Sequence, residues 1–333
     1  MKPFTYTALV AEEVDGKFIQ SIKSVSSERL PDHDVMIHVH YSSLNYKDML
    51  SATGDRRITS HYPFTPGIDA AGIVHKSRDP RFKQGDQVIV TSFDLGMNTP
   101  GGFGSYISVP GDWVIPLPPN MSLKESMMIG TSGLTAAMGI NKIINQNISP
   151  GDGDVVVSGA TGAVGTFAIS LLNHLGFRCE VITGKVNQDD YLMSLGASTV
   201  IHRGHFYSSN KKPLMKSRWI AGVDTVGGEM LDLILRQIAH NGILTCCGNV
   251  TGDTFETSIY PFILRGVSLM GIDSGIASLQ DRKQIWYLLS EKWKLKNLSD
   301  FCTFIELSDL PSEIKKVLNG ERVGHTVIQL PTA

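Results

Sequence analysis

Three glycines carry the first chemical signal. In Val155-Val156-Val157-Ser158-Gly159-Ala160-Thr161-Gly162-Ala163-Val164-Gly165 an apolar, β-branched run ends in a turn, and a helix begins near Ala163. Glycine permits the tight turn and lets the main chain approach a pyrophosphate. The free amides and dipole of a helix start then favour phosphate oxygens. Gly159, Thr161, Gly162, Ala163, Val164 and Gly165 are therefore the candidate phosphate cradle. A strand, a glycine turn, a helix and a second strand in succession predict a dinucleotide-binding unit.

The end of that second strand decides the type of nucleotide. It reads Val181-Ile182-Thr183-Gly184-Lys185. An NAD site usually places a carboxylate there, on the ribose hydroxyls. Here a hydroxyl, Thr183, and a cation, Lys185, stand beside Gly184, and they favour the 2′-phosphate of NADPH. Arg203, after the third strand, is a candidate second charge for the phosphate. Asp189 and Asp190 are read as the start of the next helix, where negative charge suits the dipole.

The elements that must position these residues follow from patterning. The first 120 or so residues are β-rich. Residues 35–41 alternate with period two, and 72–74 and 87–90 are further short strands, separated by turn phrases. Ser122-Leu123-Lys124-Glu125 is a capping box that opens a helix. From about 153, apolar runs at 154–158, 178–183, 199–201, 222–226, 242–248 and 267–272 alternate with helical stretches. Such runs predict a parallel sheet covered on both faces, an α/β doubly wound fold. The last 60 residues return to the first domain. The expected division is 1–127, completed by 275–333, and 128–274.

Composition bounds the function. The 333 residues are 42% hydrophobic and 19% charged, with net charge −2, an ordinary globular balance that makes no case for nucleic-acid binding. No apolar run reaches the ~18 residues of a membrane helix. The opening residues lack the pattern of a signal peptide. Cys179, Cys246, Cys247 and Cys302 form no CxxC and no disulfide framework, so the expected setting is a reducing cytoplasm.

Several phrases assemble into a resemblance. Ser42-Ser43-Leu44-Asn45-Tyr46-Lys47-Asp48, Pro66-Gly67-Ile68-Asp69-Ala70-Ala71-Gly72, Gly130-Thr131-Ser132-Gly133-Leu134-Thr135-Ala136 and Leu195-Gly196-Ala197-Ser198 resemble the medium-chain dehydrogenase/reductase superfamily, in its zinc-free, quinone-oxidoreductase-like branch. Asp79-Pro80-Arg81-Phe82, Gly111-Asp112-Trp113, Pro261-Phe262-Ile263-Leu264-Arg265 and Gly271-Ile272-Asp273-Ser274 are similar to the acryloyl-CoA reductase type. The resemblance spans nearly the whole chain. It implies a GroES-like substrate domain built from both chain ends, a Rossmann domain between them, and NADPH as cofactor. The implied reaction is reduction of a double bond conjugated to a carbonyl. Two departures stand out: Ala163 replaces a glycine common in the phosphate turn, and Gly104-Ser105 replaces Ala-Glu.

The same resemblance places Asn45, Tyr46 and Asp48 where zinc relatives carry metal ligands, so these three are the candidate catalytic residues. Tyr46 can donate a proton or pack on the nicotinamide, which also puts it in the cofactor-binding set with Gly248, Asn249, Ser274 and Asn319. Asp69 is read as ordering the loop through backbone amides. Lys47 either holds a substrate phosphate or is solvated. Arg56 and Arg57 either bind the phosphates of a CoA thioester or occupy an exposed loop. No cysteine precedes Cys179, so no zinc is expected. His38 and His40 share a strand face but lack a third ligand. Tyr207-Ser208-Ser209-Asn210-Lys211 matches the Tyr-x-x-x-Lys of short-chain dehydrogenases, in a stretch too poor in helix formers to use it. The partner is expected to be an enone, an enoyl thioester or a quinone. Rival readings are an NADPH quinone oxidoreductase and a non-catalytic NADPH-binding sensor. Residues 267–272 read as a bare sheet edge, and the resemblance implies a homodimer through it.

Overall fold

A computed structural model describes residues 2–207 and 212–331. The chain divides into two compact units. The first runs to Thr131 and takes up Gly275–Glu291 and the chain from Asn297 onward; the second is Ser132–Ser274 with Lys292–Lys296.

The second unit is a Rossmann fold. Its strands lie in the order Ala197–His202, Cys179–Thr183, Val155–Ser158, Trp219–Asp224, Ile238–Cys246 and Ser268–Gly271, all parallel. Val155, Val156 and Val157 are fully buried, as a strand covered on both faces requires. The order reverses between Val155–Ser158 and Trp219–Asp224. That switch point is where open α/β sheets bind their ligands. All six expected strands are present, but three begin earlier than expected, at Ala197, Trp219 and Ile238. Gly222 and Gly242 were read as strand starts and lie inside their strands. A Cβ on Gly222 would come 2.7 Å from Leu244 and 2.9 Å from Val156, and one on Gly242 would come 2.4 Å from the Ile220 carbonyl. These glycines are close-packing positions, not turn punctuation.

The first unit is β-rich. Cys302–Glu306, His325–Gln329, Val35–Leu44, Asp69–Ser77, Gln87–Thr91 and Ile115–Pro116 form a sheet in that order, and Tyr106–Val109 also pairs with Val35–Leu44. His325–Gln329 runs antiparallel to Val35–Leu44, with Thr326 opposite Leu44. Along Val35–Leu44 the core residues Val35, Ile37 and Val39 alternate with half-buried Met36, His38 and His40. A separate hairpin joins Thr5–Val14 to Lys17–Ser26.

The capping box is formed: Ser122 N donates to Glu125 Oε2 (2.8 Å) and Glu125 N donates to Ser122 Oγ (3.1 Å). The helical stretch Leu123–Asn145 breaks at Gly130, whose φ of 52° and ψ of −163° suit glycine alone. A Cβ there would lie 2.5 Å from Ser43 Oγ and 2.8 Å from Asp69 Oδ2. Among the described residues no helix is long and apolar enough to cross a membrane.

The tightest main-chain contact in the first unit supplies a stability test. A Cβ on Gly102 would stand 1.9 Å from the Asp69 carbonyl oxygen. Gly102→Ala should cost about 2 kcal/mol or more in urea denaturation. Gly151→Ala, which meets nothing within 4 Å, should stay within ~0.5 kcal/mol of the parent. Equal stabilities for the two variants would contradict the packing described.

Candidate functional site

In the second unit the glycine turn is built by close main-chain approach. Gly159 has φ 63°. A Cβ on Gly165 would lie 2.4 Å from the Gly159 carbonyl, so the first turn of the helix Ala163–His174 rests directly on the strand end. Gly162 caps this helix without any side-chain hydrogen bond. The amides of Ala163, Val164 and Gly165 therefore face outward from a helix start, as phosphate oxygens require. Thr161 is buried beside them.

A buried carboxylate staples this turn to the neighbouring strand. Ser158 Oγ donates to Asp224 Oδ1 (2.5 Å), Gly227 N donates to Asp224 Oδ2 (2.8 Å), and Thr225 N donates to Ser158 Oγ (3.0 Å). Burial pushes the Asp224 carboxyl above its usual range. Gly248 sits against Thr225, where a Cβ would be 2.0 Å from its carbonyl oxygen, and Asn249 follows it exposed. Ser158, Asp224 and Thr225 escaped the sequence reading. Their signal was three polar residues at the ends of apolar strands.

At the end of Cys179–Thr183 lies a pocket of about 810 Å³, lined by Thr183, Gly184, Asp189, Asp190, His202, Arg203 and His205 among others. The Arg203 guanidinium lies against Gly184, where a Cβ would come 2.7 Å from its central carbon. Arg203 is exposed. Lys185 is not among the lining residues. The Thr183 hydroxyl is taken up by the turn, accepting from Lys185 N at 3.1 Å. The cation that faces the pocket is thus Arg203 and not Lys185. Asp189 and Asp190 do open a helix, Asp189–Ser194, and they also line the pocket. Outward amides at the turn and a cation, Arg203, facing the pocket are the donor set that a dinucleotide with a phosphorylated ribose needs, so the residues fit NADPH. Ser274 is buried, 2.5 Å from Thr135 Oγ1. Asn319 belongs to the first unit, where it donates to Glu321 at 3.0 Å.

In the first unit, Asn45 precedes the short helix Tyr46–Ala52. Asn45 N donates to Asp48 Oδ2 (2.8 Å) and Ile68 N donates to Asp48 Oδ1 (2.7 Å). Asp48 is fully buried with both oxygens engaged by main chain. It therefore holds the loop, and the expectation of a catalytic carboxylate is corrected to a positioning one. Asn45 is 7% exposed and turns its amide inward, donating to Asp69 Oδ2 (2.8 Å). Asp69 is a hub: Ser43 Oγ (2.5 Å) and Thr131 N (2.8 Å) also donate to Oδ2, and Thr131 Oγ1 donates to Oδ1 (2.5 Å). Tyr46 alone of the three candidates reaches solvent, at 50% exposure. Lys47 beside it is exposed.

Zinc does not fit this donor set. Asp69 is already engaged by hydroxyls and amides, and His325 Nε2 lies 3.1 Å from the Met127 carbonyl. Among the described residues no three His, Cys, Asp or Glu side chains converge. His38 and His40 have ring centroids 4.9 Å apart, and burial lowers both below the usual histidine range. Arg56 pairs with Glu13 (2.8 Å) and Arg57 forks onto Asp55 (2.6 and 3.0 Å), so both guanidinium groups already have carboxylate partners. Tyr207 closes the helix Arg203–Tyr207, and the rest of its Tyr-x-x-x-Lys phrase, 208–211, lies outside the described residues.

Burial, reinforced by the nearby Asp69 charge, pushes the Asp48 carboxyl up to about 7. In the unfolded chain the group titrates near ~4. The folded form therefore holds the proton more tightly, and its contribution to stability is lost as pH rises from about 4 to 7. The parent should lose stability over that window relative to Asp48→Asn, on the order of a few kcal/mol. Urea melts between about pH 4 and 7.5 check this. Parallel pH profiles would refute it.

Comparison with known proteins agrees with this geometry. The chain matches the family models described as alcohol dehydrogenase GroES-like domain, over residues 31–119, and zinc-binding dehydrogenase, over 163–291. It is 41% identical to the putative quinone oxidoreductase YhfP of Bacillus subtilis, over 98% of this chain and 99% of that protein. The crystal structure of YhfP with NAD bound superposes with TM-score 0.94, covering 98% and 100% of the two chains. The probable acrylyl-CoA reductase AcuI of Escherichia coli is 38% identical, over 97% and 99%. The yhdH oxidoreductase of Salmonella enterica, crystallised with NADP, is 38% identical with TM-score 0.94, over 98% and 100%. The chain belongs to the medium-chain dehydrogenase/reductase superfamily, in its quinone-oxidoreductase-like branch.

Proposed function

We propose that this NADPH-dependent oxidoreductase reduces the C=C bond of an α,β-unsaturated carbonyl compound without zinc, with acryloyl-CoA as the first candidate substrate. One observation carries the reading: the Asn45–Asp48 loop keeps its amide and carboxylate buried and presents Tyr46, half exposed, with Lys47 beside it, where no metal-ligand set converges among the described residues. Likeness to AcuI supports the substrate class. Likeness to YhfP supports a quinone as the second reading. Residues 128–274 bind the nucleotide and residues 1–127 with 275–333 bind the substrate. The four separate thiols fit a reducing cytoplasm.

NADPH supplies the hydride. The chain's own task is to orient the acceptor and stabilise the enolate oxygen. Tyr46 heads its helix, and Asp48 and Asp69 hold that helix start from beneath. The Tyr46 ring packs on the nicotinamide and its hydroxyl is a secondary donor. Tyr46→Phe should lower turnover modestly. Tyr46→Ala should lower it by about tenfold or more and raise the NADPH dissociation constant. A Tyr46→Ala protein that binds NADPH and reduces an enone like the parent would remove Tyr46 from the site. Rates on acryloyl-CoA, crotonyl-CoA, simple enones and quinones, measured in a strong chelator, separate the two substrate readings. A quinone preference, or loss of activity to the chelator, would count against the first.

The chain also forms a homodimer through its sheet edge. Ser268–Gly271 is the last strand of its sheet. The preceding helix Tyr260–Arg265 exposes Ile263 and Leu264 at 64% and 59%, and Ile259 before it at 60%. Apolar groups next to an unpaired edge suit a two-fold mate. Sedimentation at micromolar concentration should report twice the chain mass. Ile263→Lys with Leu264→Lys should shift it to one chain. A monomeric parent would defeat the assignment.

A further inference from the structure

The pocket at the end of Cys179–Thr183 carries opposed charges. Arg203 lines it with a cation, while Asp189 and Asp190 line the same space with carboxylates. A carboxylate in this place repels a 2′-phosphate and accepts from ribose hydroxyls, the arrangement that suits unphosphorylated ribose. One of the two is engaged. His202 ends the strand Ala197–His202, and its Nε2 lies 3.3 Å from Asp189 Oδ2, at the first residue of the helix Asp189–Ser194. The side chains are 37% and 53% exposed, so the pair is open to a ligand.

We propose that His202 sets the preference for phosphorylated over unphosphorylated nucleotide by occupying Asp189. The inference rests on the reading that this pocket takes the adenosine ribose. With Nε2–H donated to Asp189, that oxygen is withdrawn from the ribose hydroxyls and its repulsion of a phosphate falls. Arg203, exposed and lining the same pocket, is left to take the phosphate. Without the imidazole, Asp189 becomes an open acceptor and the preference moves toward unphosphorylated ribose. His202 is a specificity-determining residue acting through Asp189.

Calorimetric titration with adenosine 2′,5′-bisphosphate and with 5′-AMP tests this without substrate or turnover. The parent should favour the bisphosphate. His202→Ala should reduce that preference about fivefold, the scale of one hydrogen bond, through weaker bisphosphate and tighter AMP binding. Adding Asp189→Asn to His202→Ala should restore it, because no carboxylate is then released. An unchanged ratio in His202→Ala overturns the inference, and so does a loss that Asp189→Asn fails to reverse. Arg203→Ala separates the layers. If it weakens the bisphosphate while His202→Ala changes nothing, the His202 assignment falls alone. If neither variant changes bisphosphate binding, the ribose reading of the pocket falls with it.

Discussion

The Rossmann unit depends on one contact between main-chain atoms: the Gly159 carbonyl against the Cα of Gly165, with no room for a Cβ. That contact brings the helix Ala163–His174 onto the end of its strand and turns its amides outward. Asp224 secures the arrangement from the next strand, with one oxygen on Ser158 and the other on Gly227 N. A buried carboxylate is costly unless its lone pairs are taken up. Here the hydrogen bonds that take them up also define the switch point of the sheet. The glycine turn and its outward amides are therefore a product of packing, present before any ligand arrives.

The first unit solves a comparable problem with two buried carboxylates. Asp48 satisfies the start of its own helix and the amide of Ile68. Asp69 gathers Ser43, Asn45 and Thr131 from three separate segments. In this chain side-chain hydrogen bonds do the positioning, and a single aromatic hydroxyl is presented to solvent. The Gly130 break follows from the same crowding, since a side chain there would collide with Ser43 and Asp69.

The fold was legible because its signals are local. Apolar runs of β-branched residues, a glycine phrase at a strand end and a capping box each predict structure within a few residues. The six strands appear in the expected sequence, and errors fell on Gly222 and Gly242, where distant neighbours set the need for glycine. The site was less legible for the same reason. Lys185 lies next to the second strand in sequence but does not line the pocket, whereas Arg203 reaches it from the next strand's end. Asp48 stands at a candidate catalytic position in the sequence, but burial and two main-chain donors, which only the fold brings to it, give it a positioning role. His202 and Asp189 lie 13 residues apart and meet only through the packing of a helix start against a strand end.

The proposed reaction, metal-independent transfer of hydride from NADPH to the carbon β to a carbonyl, is tested by the fate of a label. With acryloyl-CoA and NADPH deuterated at the transferred position, in light water, the product should be propionyl-CoA with one deuterium on the carbon β to the thioester. In heavy water with unlabelled NADPH, deuterium should appear on the α-carbon instead. Product with no deuterium on the β-carbon, or no product from acryloyl-CoA while a quinone is readily reduced, would contradict the account.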